Sequence, residues 1–153
     1  MGKLSEFAAL SPQEKRLYAS AAFWLLSVKA GLCLVPFDRL SRWLARFARV
    51  AVKPATPRES QSVVRAIERI GRALPGWHIT CLPQALVGYL LLRRRGFDVR
   101  LQIGVCKDAR NRLAAHAWLE YQDRVLLGDL RDLQQFIPFP QGVFPQRTKR
   151  PAT

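Results

Sequence analysis

The chain has 153 residues, with 25 Lys and Arg against 11 Asp and Glu and a formal net charge of +14. At that length one compact domain is the default, and 49% hydrophobic with 24% charged residues excludes a disordered or collagen-like chain. Three cysteines without paired spacing exclude a disulfide scaffold and fit a reducing, cytoplasmic setting.

Three helices are predicted first. Ser11-Pro12-Gln13-Glu14 reads as a capping box: Ser caps, Pro fills the first turn and Glu answers back three residues later. This helix runs to about Leu34, where Pro36 stops it. Its most apolar stretch, Ala19 to Val28, ends at Lys29 and falls short of the roughly 20 apolar residues a membrane span needs. A buried core helix is therefore expected, with attachment to a membrane surface left open. Met1 to Glu6 carries neither a signal-peptide pattern nor a myristoylation motif.

A second helix covers Asp38 to Val50. On it Arg39, Arg42, Arg46 and Arg49 recur at helical spacing as a basic stripe beside Leu40, Trp43, Leu44 and Phe47. The stripe reads as the solvated side of a core-facing helix, or as a surface for anionic lipid or an acidic peptide. After the linker Lys53 to Pro57, Thr56-Pro57-Arg58-Glu59 repeats the capping-box logic and opens a third helix. Val63, Ile67, Ile70 and Leu74 mark its buried stripe, and Pro75-Gly76 ends it.

The pattern then changes. Cys81 to Arg95 reads as a fourth helix, closed by Gly96 after the cationic run Arg93-Arg94-Arg95. Val99 to Ile103 and Leu113 to Tyr121 read as strands, and Gln122-Asp123 as a tight turn into a third strand, Arg124 to Leu127. From Phe136 the chain is expected to be extended, through Pro138, Pro140 and Pro145 to the basic Arg147-Thr148-Lys149-Arg150. There are no internal repeats. The order predicts an α+β fold, divided into a helical region 1–74, a core 75–140 and a basic tail 141–153.

Cys81 is the residue best placed for chemistry. Thr80 is a candidate helix cap, which puts Cys81 in the first turn, and Pro83 suits that turn because the N–H it lacks has no helical partner there. The positive end of the helix dipole favours a thiolate, and the backbone N–H groups there suit a developing oxyanion. The alternative role for Cys81 is a small buried hydrophobe. A two-residue turn pairs Tyr121 with Arg124, and the same register pairs His116 with Asp129 on one face of the sheet. A carboxylate beside a histidine orients it, and the histidine deprotonates a thiol: a Cys–His–Asp arrangement. A bulge would shift that register by one residue and flip the face. Asp123 is the rival carboxylate, but at a turn tip it reads as a turn former.

Five pieces occur together in order. They are Cys81-Leu82-Pro83-Gln84-Ala85-Leu86, Leu91 to Phe97, Ile103-Gly104-Val105, Ala115-His116-Ala117-Trp118-Leu119-Glu120, and Arg124 to Asp129. With them the chain resembles the transglutaminase-like cysteine proteases of lasso-peptide biosynthesis, over roughly Pro75 to Pro138. The resemblance implies a papain-like core, a nucleophile helix packed on an antiparallel meander, and removal of a leader from a ribosomally made precursor peptide. It implies Cys81 as nucleophile, His116 as base and Asp129 as orienting carboxylate, without a cofactor or metal. Trp118, on the same face as His116, is a candidate wall of the site or a plain core aromatic. Gln84 is a candidate peptide contact, standing where the family often has a basic residue; Asp123 stands where it often has Gly. The residues before Cys81 show no β-hairpin pattern, so the resemblance implies the stand-alone form, working with a separate leader-binding protein (a RiPP recognition element) and a lasso cyclase. A same-fold acyltransferase or amidase is the other enzymatic reading.

Other candidates read as lesser. Cys33 is expected in the core and His78 in a loop or cap, while Cys106 is a possible second thiol near the site. No close ligand pair supports zinc. A nucleic-acid-binding module rests on charge alone, with no zinc-finger, RNP-like or phosphate-loop motif, so nucleic acid is not expected as a partner. The Arg39–Arg49 stripe and the Arg93–Arg95 run become candidate docking faces for partner, leader or membrane.

Overall fold

The computed structural model describes residues 10–48, 56–74, 79–107 and 110–139. Four helices come first: α1 (Pro12–Leu34), α2 (Phe37–Phe47), α3 (Pro57–Ala73) and α4 (Cys81–Arg93). Strands β1 (Arg100–Lys107), β2 (Leu113–Tyr121), β3 (Arg124–Leu127) and β4 (Ile137–Pro138) follow, with one 3-10 turn, Leu133–Gln135, before β4. The strands form one antiparallel sheet in the order β3-β2-β1-β4. The α+β expectation holds.

Local chemistry sets the helix starts. Glu14 accepts from the Ser11 backbone N–H at 2.9 Å and from its hydroxyl at 2.8 Å, while the Glu14 N–H donates to Ser11 Oγ at 3.3 Å. These donors hold the Glu14 carboxyl below the usual carboxylate range. Thr56 and Glu59 repeat the capping box at α3. Gly96 closes α4 at φ +89°, a conformation other residues adopt at a cost.

The core is one continuous cluster. Ala21, Leu25 and Val28 of α1, Leu40 and Leu44 of α2, Val63 and Ile67 of α3, and nearly all of α4 meet the inner face of the sheet, Leu101, Ala117, Leu119 and Leu127. Gly88 allows the closest approach: a Cβ there would lie 2.6 Å from Leu119 Cδ1 and 2.8 Å from Leu127 Cδ2. Phe97, just past α4, packs edge-on against Tyr121 at 5.4 Å between ring centroids.

Several expectations are corrected. Helix α1 is not a wholly buried core helix: Phe23, Leu26 and Leu34 are exposed, and by length and composition alone the helix could cross a membrane. Cys33 is exposed rather than in the core. Helix α2 ends at Phe47, short of Val50; Arg49 and Val50, like Pro75-Gly76, His78 and the tail from Pro140, lie outside the described residues. Within the Arg93–Arg95 run, Arg94 is exposed while its two neighbours are engaged inside the fold. Arg93 pairs with Asp98 and lies over the Tyr89 ring, and Arg95 donates to the Leu91 carbonyl at 2.9 Å. Burial pushes the Tyr89 phenol up and the Arg95 guanidinium down from their ordinary values. Strand β1 extends to Lys107, and the Pro-containing stretch after Phe136 adds β4 along its edge, with Gly104 facing Pro138.

Candidate active site

Cys81 is the first residue of α4, a free and half-buried thiol. Thr80 occupies the cap position in an extended conformation, but its side chain makes no capping hydrogen bond, contrary to the sequence expectation. The first turn is thus without a side-chain cap, and Pro83 within it has no N–H to satisfy. Gln84 Nε2 donates to the Ile79 carbonyl at 3.0 Å and lies against Gly71 of α3. Its amide nitrogen thus links α3 to the segment entering α4, and the residue is half-buried.

His116 stands near the start of β2. The strand's alternation turns Ala117 and Leu119 toward α4 and puts His116, Trp118 and Glu120 on the other face. Trp118 is stacked on His116 at 6.1 Å and an interplanar angle of 12°, and the Phe136 ring lies 5.5 Å from His116 at a tilt of 53°. Trp118 Nε1 donates to Glu120 Oε1 at 2.8 Å. Glu120 in turn accepts from Gln102 Nε2 at 3.4 Å and lies 4.0 Å from the Arg100 guanidinium. Gly104, opposite His116 in β1, makes room for this layer: a Cβ there would lie 2.9 Å from the Trp118 ring.

The partner of His116 differs from the one expected. The turn at Gln122-Asp123 pairs Tyr121 with Arg124 as predicted, and both turn residues have positive φ. A bulge then intervenes, so Glu120 pairs with Val125 but Leu119 pairs with Leu127. The extra residue, Leu126, moves the register by one and removes the direct opposition of His116 and Asp129. His116 Nε2 instead lies 2.7 Å from the carbonyl of Gly128, the residue before Asp129. A carbonyl only accepts, so Nε2 carries the proton and the neutral ring keeps its lone pair on Nδ1. Asp129 is exposed and lines a cleft of about 360 Å³ with Trp118, Glu120, Arg131, Leu133 and Gln134. Asp123 is the turn former expected: its carboxylate is 2.5 Å from the Arg100 guanidinium.

Cys81 opens the helix that packs on one face of the sheet, through Gly88 against Leu119, whereas His116 projects from the opposite face with Trp118, so the fold does not bring the thiol and the imidazole into contact. The structure joins His116 to Trp118 and to the Gly128–Asp129 segment; it shows no hydrogen bond to the Cys81 sulfur among the described residues. Cys106, half-buried and paired with Ala114, is on the same sheet face as His116. Among the described residues no group of three or more His, Cys, Asp or Glu could hold a metal ion.

Sequence reasoning missed three contributors. Glu120 was visible as a polar residue two positions after Trp118 on the same face. Gly128 was visible only as a glycine beside Asp129. Phe136 reaches His116 through a chain reversal with no local signal.

No curated protein and no solved structure is significantly similar to the chain. The family model of the transglutaminase-like superfamily matches residues 24–140, from within α1 to just past β4 and across every residue of this site. By that match over most of its length, the chain belongs to the transglutaminase-like superfamily.

Proposed function

We propose that the protein is a cysteine peptidase that removes the leader from a ribosomally made lasso-peptide precursor. Membership of the superfamily supports thiol-based hydrolysis or acyl transfer in general. The finer reading rests on the five motif pieces from Cys81 to Asp129. The observation that carries it is His116, held through Nε2 by the Gly128 carbonyl with Nδ1 left as the base, in a chain that also presents a free thiol in the first turn of α4.

In the proposed reaction His116 Nδ1 takes the Cys81 thiol proton as sulfur attacks the scissile carbonyl. The first-turn N–H groups of α4 offset the charge on the oxyanion. The C–N bond breaks, the imidazolium returns its proton to the leaving amine, and the acyl group stays on sulfur. Water, deprotonated by the same nitrogen, then releases the leader acid and restores the thiol. A separate leader-binding protein presents the precursor, and a cyclase takes the new N-terminus.

Incubation with the cognate precursor and its leader-binding protein, read by mass spectrometry, tests this. The expected products are the leader acid and the free core; Cys81→Ala abolishes both and Cys106→Ala leaves them unchanged. Cleavage retained by Cys81→Ala overturns the assignment, and loss only in Cys106→Ala moves the nucleophile to the thiol on His116's face. An acyl group transferred to an added amine would mark an acyltransferase.

A further inference from the structure

The exposed apolar side chains gather on the hairpin of α1 and α2. Phe23, Leu26, Leu34, Val35, Trp43 and Phe47 are all exposed there, with Leu34 at the hairpin tip 82% accessible. The two helices pack antiparallel, since Leu40 of α2 lies against Gly31 and Phe47 lies against Trp24. The aromatic rings form a chain: Phe23 to Trp24 at 5.4 Å, Trp24 to Phe47 at 6.2 Å, and Phe47 to Trp43 at 4.7 Å. In a water-soluble monomer a contiguous apolar surface of this kind marks a contact site.

The charge beside it has one sign. Arg39, Arg42 and Arg46 project from α2 next to Trp43 and Phe47, and all three are exposed. Among the described residues none of them is in an ion pair; Arg42 Nε donates to the Asp38 carbonyl within the helix at 3.1 Å. On the α1 side the stretch from Ala19 to Leu34 has Lys29 as its single charged residue. Cationic side chains along the edge of an apolar and aromatic surface match the two layers of a bilayer interface, anionic headgroups above acyl chains. A nucleic acid would neutralise the arginines and leave Leu34, Val35 and Phe23 in water.

We propose that the α1–α2 hairpin docks the protein on the surface of an anionic phospholipid bilayer. Arg39, Arg42 and Arg46 engage lipid phosphates, the Trp24–Phe47–Trp43 rings sit at headgroup level, and Phe23, Leu26 and Leu34 enter the outer acyl region. The cleft beside Asp129 is lined by residues of β2, β3 and the segment that follows, none of them from the α1–α2 hairpin.

The test is co-sedimentation of the full chain with vesicles of phosphatidylcholine alone or with 30% phosphatidylglycerol. The expected result is binding to the anionic vesicles, weakened by raised salt, with tryptophan fluorescence quenched by lipids brominated on the acyl chain. Arg39→Gln, Arg42→Gln and Arg46→Gln together should weaken that binding by about 100-fold, as expected for three basic groups at an anionic surface. Far-UV circular dichroism and thermal midpoint should be unchanged, because all three are exposed. Phe23→Ser with Leu34→Ser should remove the quenching. Failure to bind anionic vesicles at low salt, equal binding by the triple variant, or binding without acyl-chain quenching overturns the proposal. So does a dimer that Phe23→Ser dissociates in a protein that ignores vesicles, which would give the face to a second copy of the chain.

Discussion

Gly128→Ala is the sharpest test of how His116 is held. Gly128 has φ +81°, and a Cβ there would lie 2.8 Å from the Ala117 carbonyl oxygen and 3.1 Å from both Trp118 Cα and Cβ. The left-handed conformation costs a non-glycine residue roughly 1–2 kcal/mol. The contact with backbone, which cannot rotate aside, adds a further 1–3 kcal/mol or so of overpacking. Together they give about 3 kcal/mol, which for a chain of this size is a fall in thermal midpoint of roughly 6–12 °C. Gly96→Ala is the comparator: φ is +89° there too, so it carries the conformational cost, about 1–2 kcal/mol. Urea unfolding followed by circular dichroism gives the two losses. Long-range ¹H–¹⁵N spectra of the imidazole report whether the Nε2–H tautomer persists once the carbonyl moves. If Gly128→Ala costs no more than Gly96→Ala and the His116 spectrum is unchanged, the bulged register and the Gly128 grip on His116 are wrong.

Two further outcomes follow from the same network and from the first helix. Glu120→Ala strands the buried Trp118 indole N–H and should cost roughly 1–3 kcal/mol in urea unfolding, whereas Glu120→Gln keeps an acceptor and should retain most of that stability; equal losses would show that the bond does not hold Trp118. Glu14→Gln probes the capping box through pH. The Ser11 donors lower the folded-state pKa of Glu14, so its ionised form stabilises the fold above the ordinary carboxylate range, and that contribution is lost as pH falls through the depressed value. The midpoint gap between wild type and Glu14→Gln should be open at neutral pH and close in acid; a gap independent of pH would refute the assignment.

Much of this fold is legible residue by residue. The starts of α1 and α3 follow from Ser11 with Glu14 and from Thr56 with Glu59, since a capping box is satisfied within four residues. The spans of β2 and β3 and the turn between them follow from alternation and a two-residue turn, again local. Cys81 at the head of a helix, and His116 with Trp118 on one face of a strand, needed nothing beyond period 3.6 and period 2.

What tertiary structure decided is everything that depends on which segment lies opposite which. The bulge at Leu126 has no local sequence signal, and it replaces the Asp129 carboxylate with the Gly128 carbonyl as the partner of His116. The edge strand β4 and the closure of Phe136 on His116 arise from a reversal whose payoff is non-local pairing with β1. The basic character of α2 was plain from Arg39, Arg42 and Arg46, but periodicity cannot say that α1 leaves Phe23, Leu26 and Leu34 uncovered beside it. A residue's neighbours along the chain constrain its dihedrals and its face; only packing among distant segments determines whether that face meets core, substrate or lipid.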